Sequence, residues 1–416
     1  MEYSKRLVDK ALQEALESTG AVLIEGPRGC GKTSTGKQFS NSFVSLDTDE
    51  NALKLATLEP LAVLAGPSPK LIDEWQLAPS LWNHVRKLCD ESQTTGLFVL
   101  TGSAILPEDG KRHTGAIRIL RLKMRPMSLF ESGHSDGSVS LASLFVENSI
   151  ISSTSGIGFM DLIDPMCRGG WPSLQKIALK NSLNVMRSYV SDISKDKFVF
   201  DEVRASSTRI TKLIKALARN TGSEIPISKL TAELESQEAE PLKRTTVDGY
   251  VEKLKQIMVV ENLEPWTTHL RSKYLIRRAE KRYFVDPSIP VAALKATPDK
   301  LLKDLETTGF IFENLVIRDL RIYSQAIGAE INHYRDESGL EVDAIITDFD
   351  GKWAAFEIKL NLNSIEDAVS NLLKLKDRID TDKAGEPAAL AVITTGQYSY
   401  RREDGIVVIS IGSLGP

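Results

Sequence analysis

The sequence predicts an α/β chain in three parts: a parallel-sheet domain over 1–155, a helical middle over 156–290, and a mixed α/β domain over 300–416. Three observations lead there. Residues 1–130 alternate helical segments with short apolar runs, the pattern of a parallel sheet covered on both faces. From about 155 the apolar residues take up helical spacing, and after a proline-rich stretch at 285–300 strands and helices alternate to the end. A chain of 416 residues is also too long for one ordinary core.

Composition narrows the class. With 42% hydrophobic and 26% charged residues and no apolar run long enough for a bilayer, the chain reads as globular, with no membrane partner. The first residues lack the apolar core of a signal peptide, so the expected location is the cytoplasm. Three scattered cysteines argue against a disulfide framework and against zinc-ligand spacing. Five scattered histidines form no H-E-x-x-H pair. A net charge of −4 excludes a basic nucleic-acid coat, so any nucleic-acid contact must be local.

In the first part, candidate strands lie at 21–24, 42–46, 70–72 and 97–100. Directly after the first come Gly26, Pro27, Arg28, Gly29, Cys30, Gly31, Lys32 and Thr33, with Ser34 next, fitting G-x-x-x-x-G-K-[ST]. A strand before and a helix over 33–39 supply the context in which glycines let backbone N–H groups wrap a phosphate. Lys32 would reach the β- and γ-phosphates of ATP, and the Thr33 hydroxyl would take a place on Mg²⁺. Such a site needs an acid on the other side of the metal. Asp73 and Glu74 end the strand at 70–72, Asp73 to hold Mg²⁺ and Glu74 to orient the attacking water. At the tip of the strand at 97–100, Thr101 and Ser103 are candidates for sensing the γ-phosphate or for an ordinary turn. Downstream, the cationic stretch 118–126 holds Arg118, Arg121 and Arg125, any of which could enter a neighbouring subunit's site and stabilise the transferring phosphoryl group.

The middle part carries helical patterns at 161–180, 181–198, 209–219, 227–234 and 244–256, with a Gly169-Gly170-Trp171-Pro172 turn among them. The last three, followed by a strand at 257–260, suggest a winged-helix unit whose third helix meets either DNA or protein. Next, Arg271, Lys273, Arg277, Arg278, Lys281 and Arg282 interleave with Tyr274 and Tyr283. That segment could hold DNA phosphates and stack bases, or form a solvated or interdomain face. Pro287, Pro290 and Pro298 suggest a linker or a domain boundary.

The last part opens with an amphipathic helix at 309–323 bearing Glu313. Asp343 begins one apolar strand, and Glu357 and Lys359 end another, sharing one face at period two. Asp343 and Glu357 could form a carboxylate pair that binds Mg²⁺ or Mn²⁺ and activates water for phosphodiester hydrolysis. The same charges could instead make a structural ion-pair network.

The phosphate loop, Ile72-Asp73-Glu74-Trp75-Gln76, Leu100-Thr101-Gly102-Ser103-Ala104, Met124-Arg125-Pro126-Met127-Ser128-Leu129-Phe130-Glu131, Gly169-Gly170-Trp171-Pro172, 216–220 and 309–314 resemble prokaryotic AAA-type ATPases with a C-terminal domain of unknown function. That resemblance implies ATP binding and hydrolysis in a homo-oligomer. The acid followed by Glu-x-Lys resembles restriction-endonuclease-like PD-(D/E)XK folds. It implies Asp343 and Glu357 as metal ligands, Lys359 as a charge stabiliser and Glu313 as an auxiliary ligand, or a scaffold that only binds. The function expected is an ATPase whose nucleotide state controls a nuclease-like domain, or an ATP-dependent switch that does not cut. A small-molecule kinase is disfavoured by Asp73-Glu74 and by the appended domains.

Overall fold

The computed structural model describes residues 3–92, 94–102, 114–146, 151–200, 203, 206–235, 242–267 and 279–416. The chain divides into two compact units, Met1–Pro126 with Lys255–Val259, and Met127–Leu254 with Val260–Pro416. Residues 127–155, read from sequence with the first domain, thus fall in the second unit.

The first unit is built on β1 (Ala21–Glu25), β2 (Ser42–Ser45), β3 (Lys70–Asp73), β4 (Phe98–Gly102) and β5 (Ile119–Lys123). They pair in parallel in the order β2-β3-β4-β1-β5. The four strands expected from sequence form within two residues of their expected bounds. The fifth comes from the cationic stretch, whose Ile119 and Leu122 are buried while Arg121 and Lys123 stay exposed. Every residue of β1 is buried, and the first four read as a continuous apolar run without alternation before Glu25. Trp75 and Trp82, with ring centroids 4.9 Å apart, pack in the core beside Leu23, Ile72 and Leu100. Parallel pairing brings the carboxyl ends of all strands to one edge, and β1 has neighbours from far along the chain on both sides. Such a reversal opens a crevice for ligands at that edge.

The second unit holds a pair of short strands, β6 (Val139–Ser140) with the last strand of the chain, and then β7 (Ser152–Thr154). Helices Phe159–Arg168 and Leu179–Lys195 follow. Three more, Ser207–Arg219, Ile227–Glu235 and Arg244–Gln256, lead to the antiparallel ribbon of β8 (Val260–Leu263) and β9 (Lys281–Phe284). The strand expected at 257–260 begins only at its last residue, because Met258 turns the chain with a φ of 55°. A 22-residue helix, Leu305–Ala326, carries Glu313. After it come β10 (Glu330–Arg335), β11 (Glu341–Thr347), β12 (Trp353–Lys359), β13 (Ala389–Thr394), β14 (Tyr398–Arg401), β15 (Val407–Ser410) and β16 (Leu414–Gly415). The seven-stranded sheet runs β10-β11-β12-β13-β15-β14-β7. Its β11 and β12 are antiparallel, whereas β12 and β13 are parallel. Helix Ile365–Arg378 buries Ala368, Leu372 and Leu375 in a core with Val342, Trp353 and Val392.

The proline-rich stretch is not a linker. It forms helices Ser288–Ala293 and Pro298–Lys303, and Ile289, Val291 and Ala292 are buried. Pro298 opens its helix and Pro290 lies in the first turn of its own, positions where the missing N–H costs nothing. Buried Asp286 accepts from the Gly170 N–H at 2.8 Å and from Arg318 Nη1 at 2.9 Å, while Arg318 also pairs with Asp319. Asp319 in turn accepts the Leu129 N–H at 3.0 Å, and Trp171 Nε1 donates to Ser288 Oγ at 2.9 Å. The Gly169-Gly170-Trp171 turn is therefore a buried polar staple of the second unit. Among the described residues no helix is long and apolar enough to cross a membrane.

Candidate functional site

The phosphate loop springs from the carboxyl end of β1. Gly26 lacks a Cβ because one would stand 2.2 Å from the Met124 carbonyl oxygen. Gly31 takes a φ of 108°, in the left-handed region, and turns the chain into helix Lys32–Gln38. Cys30 is buried with Sγ 3.6 Å from the Met124 carbonyl, whereas Arg28, Gly29 and Ser34 are exposed. Lys32 Nζ donates to the carbonyls of Gly26 at 2.9 Å and Pro27 at 3.0 Å, so its ammonium sits inside the loop.

Register then brings the acid to the loop. Ile24 pairs with Thr101, and Thr101 with Asp73, across three neighbouring strands. Asp73 Oδ1 accepts from both the Thr33 hydroxyl at 2.9 Å and the buried Thr101 hydroxyl at 2.5 Å. Glu74 follows with a φ of 52° and accepts from Gln76 Nε2. The three candidate arginines separate, and Arg121 on β5 itself donates to Glu25 at 2.7 Å. Arg125 follows β5 at the edge of the loop, where its carbonyl accepts from Arg6 Nη2 at 2.8 Å. Arg118 precedes β5, at the opposite edge of the sheet, and donates to Asp90 at 2.5 Å. It cannot reach the loop of its own chain. Ser103 lies outside the described residues.

Replacing Gly26 with alanine should force the loop away from Met124. Overpacking of this kind costs about 1–3 kcal/mol, so nucleotide affinity should fall by roughly 5- to 150-fold. Titration with a fluorescent nucleotide measures it, and unchanged affinity would refute the close fit.

In the second unit Glu313, Asp343, Glu357 and Lys359 do come together. Lys359 Nζ lies 2.5 Å from Glu357 Oε2 and 3.5 Å from Asp343 Oδ2, and the Ile358 N–H donates to that same oxygen at 2.8 Å. Lys281 joins them from β9, 2.5 Å from Glu341, 3.6 Å from Asp343 Oδ1 and 3.8 Å from Glu313 Oε1. Tyr283, two residues along the same strand, donates to Glu313 at 2.6 Å. Burial and the Asp343 charge push Glu313 up to about 7 and Glu357 up to about 8. For Asp343, burial works the other way and is outweighed by Lys359 and Lys281, which hold it below the usual carboxylate range. Glu357 Oε1 is buried without a hydrogen-bond partner, which a neutral carboxyl tolerates better than a carboxylate. Among the described residues no group of three or more His, Cys, Asp or Glu side chains is placed to hold a metal ion.

These shifts give a pH dependence with a definite sign. Both folded values lie above the ordinary 4.5, so the folded state holds the extra protons. The stability they contribute is full below about 4.5 and is lost as pH rises through 7 and 8. The slope is at most about 1.4 kcal/mol per pH unit for each carboxyl. Urea unfolding at pH 5, 6.5 and 8 should show the fall, and Glu357→Gln should flatten it.

Residues 18–132 match an AAA domain. That match spans the phosphate loop, β3, β4 and β5, and an AAA domain suggests nucleotide binding and hydrolysis. Residues 160–300 match a domain of unknown function (DUF8612), and 308–414 match another (DUF4143). No curated protein matches the chain.

Several residues were missed in the sequence. Arg6, 5% exposed, donates from Nη1 to the Cys30 carbonyl at 2.9 Å and so ties down the phosphate loop. Nothing in its sequence surroundings signals that. Lys281 belongs to the basic segment that could meet DNA or form a solvated or interdomain face, but it is 2% exposed, and Arg282 donates to the Ile225 carbonyl at 2.5 Å. Lys281 and Tyr283 share one face of β9 at period two, and that sharing with a large aromatic was the available signal that the lysine faces inward. Arg271, Lys273, Tyr274, Arg277 and Arg278 lie outside the described residues. Glu341 was likewise legible by period two from Asp343.

Proposed function

We propose that the chain binds ATP with Mg²⁺, hydrolyses it, and uses its nucleotide state to govern a nuclease-like C-terminal domain that engages DNA. The convergence on Asp73 carries the reading: two hydroxyls, from the loop and from β4, meet one carboxylate oxygen beside Lys32. Thr33 and Asp73 side by side suit Mg²⁺, which would neutralise phosphate charge there. Lys32 would exchange the carbonyls of Gly26 and Pro27 for phosphate oxygens. Glu74, next to Asp73 and held by Gln76, would orient water. Arg125 lies at the loop's own edge. Arg118 would meet a nucleotide only in a neighbouring subunit of a homo-oligomer.

For the C-terminal domain, the placement of Asp343 on β11 and Glu357 and Lys359 on β12, with Glu313 from the preceding helix, supports the nuclease-like scaffold. Binding without cutting is favoured over cleavage by one observation: each oxygen of Asp343 faces an ammonium, Oδ1 that of Lys281 and Oδ2 that of Lys359. A divalent ion placed on Asp343 would meet two cations, so these residues do not fit one.

The test measures DNA binding and cleavage with ATP, ADP or no nucleotide, in Mg²⁺ and in Mn²⁺. DNA affinity that differs between nucleotide states supports the control, and identical affinity in all three sinks it. DNA cut by the wild type but not by Glu357→Ala would restore the nuclease reading.

A further inference from the structure

Lys281 is among the most deeply buried charges of the second unit, and three acidic groups surround it. Its ammonium stands between Asp343 and Glu313, two of the acids that would otherwise face a metal. We propose that Lys281 is the resident cation of this cluster, so that the C-terminal domain engages phosphodiester ligands without a divalent metal. The inference rests on the reading of that domain as a DNA-engaging scaffold, and it adds how the site is charged.

Three physical points support it. A compact ammonium within 4 Å of three acidic side chains supplies the attraction a cation would, and the burial of Glu313 and Asp343 keeps those two contacts weakly screened. The lysine is anchored by strand pairing, since Lys281 pairs with Leu263 and its neighbour Arg282 with Asn262. It is therefore fixed by the fold, unlike an exchangeable ion. The second ammonium, Lys359, is 27% exposed while Lys281 is 2% exposed, so Lys359 is the cation that can meet a phosphate from solvent. Lys281 then balances Asp343 and Glu313 from behind, and the approaching anion is not met by bare carboxylates.

The experiment titrates Mn²⁺ into nucleotide-free protein, followed by calorimetry and by the electron paramagnetic resonance of the free ion, for the wild type, Asp343→Asn and Lys281→Met. Any Mn²⁺ taken up near Asp73 is common to all three. Wild type and Asp343→Asn should give the same isotherm, and Lys281→Met should gain one Mn²⁺ per chain at least tenfold tighter than any wild-type site outside the AAA domain. Stoichiometric Mn²⁺ binding by the wild type that Asp343→Asn removes would overturn the inference. So would a folded Lys281→Met protein that gains none. Should Lys281→Met fail to fold, the comparison of wild type with Asp343→Asn decides alone. DNA affinity measured in EDTA is expected to equal that in Mg²⁺, and loss on chelation counts against a metal-free site. A protein that binds no DNA with or without metal sinks the scaffold reading, and the Mn²⁺ comparison still decides the role of Lys281.

Discussion

Lys32→Ala should lower ATP turnover by about 10²- to 10³-fold, the usual loss when one preorganised donor to a charged reacting group is removed. The ammonium is already inside the loop, 2.9 and 3.0 Å from two carbonyls that a phosphate would replace, so little reorganisation separates the resting lysine from the working one. Phosphate release under saturating ATP, together with nucleotide affinity, measures the loss, and circular dichroism should show an unchanged fold. Turnover within a factor of two of the wild type would mean that the hydrolytic centre lies elsewhere.

Arg318→Met should be the most destabilising single change in the second unit. The guanidinium is buried, pairs with Asp286 at 2.9 Å and with Asp319 at 2.8 Å, and both acids also hold backbone N–H groups. Removing it leaves two buried carboxylates without a cation, which costs about 3–5 kcal/mol. A loss of that size lowers Tm by about 10 °C. Because Gly170 and Leu129 hang on those acids, the damage should spread to the turn at 169–172 and the segment at 127–131. Differential scanning calorimetry tests the size, and hydrogen exchange at the Gly170 and Leu129 amides tests the route. A Tm shift below 2 °C would show that the triad is dispensable.

The two sites were legible to different depths. The phosphate loop could be read because its chemistry is local: eight adjacent residues dictate the backbone path, and the apolar run before them fixes the strand. Asp73 and Thr101 were readable as strand ends, but their hydrogen bond depends on strand order, which no local pattern states. Arg118 shows the cost, since only the parallel register reveals that it lies at the wrong edge for its own loop. The C-terminal acids obeyed period two, so Glu357 and Lys359 were rightly placed on one face. Lys281 was not legible because a basic run looks alike whether it faces solvent or a set of acids 32 to 62 residues further on. As a linker the prolines at 285–300 misled for a similar reason, since the same residue that breaks a helix also starts one, although one family match ends at 300 and the next begins at 308.

The strand Ser152–Thr154 bears on any attempt to study the halves apart. It pairs with Tyr398–Tyr400 and closes one side of the seven-stranded sheet. A fragment cut at the boundary the sequence suggests, starting at 156, would leave β14 as a bare edge, with Tyr398 and Tyr400 already 64% and 41% exposed. Unpaired N–H and C=O groups beside exposed aromatics recruit strands from other molecules. Such a fragment should precipitate where one starting at 127 stays in solution, and its failure would say nothing about what the domain does.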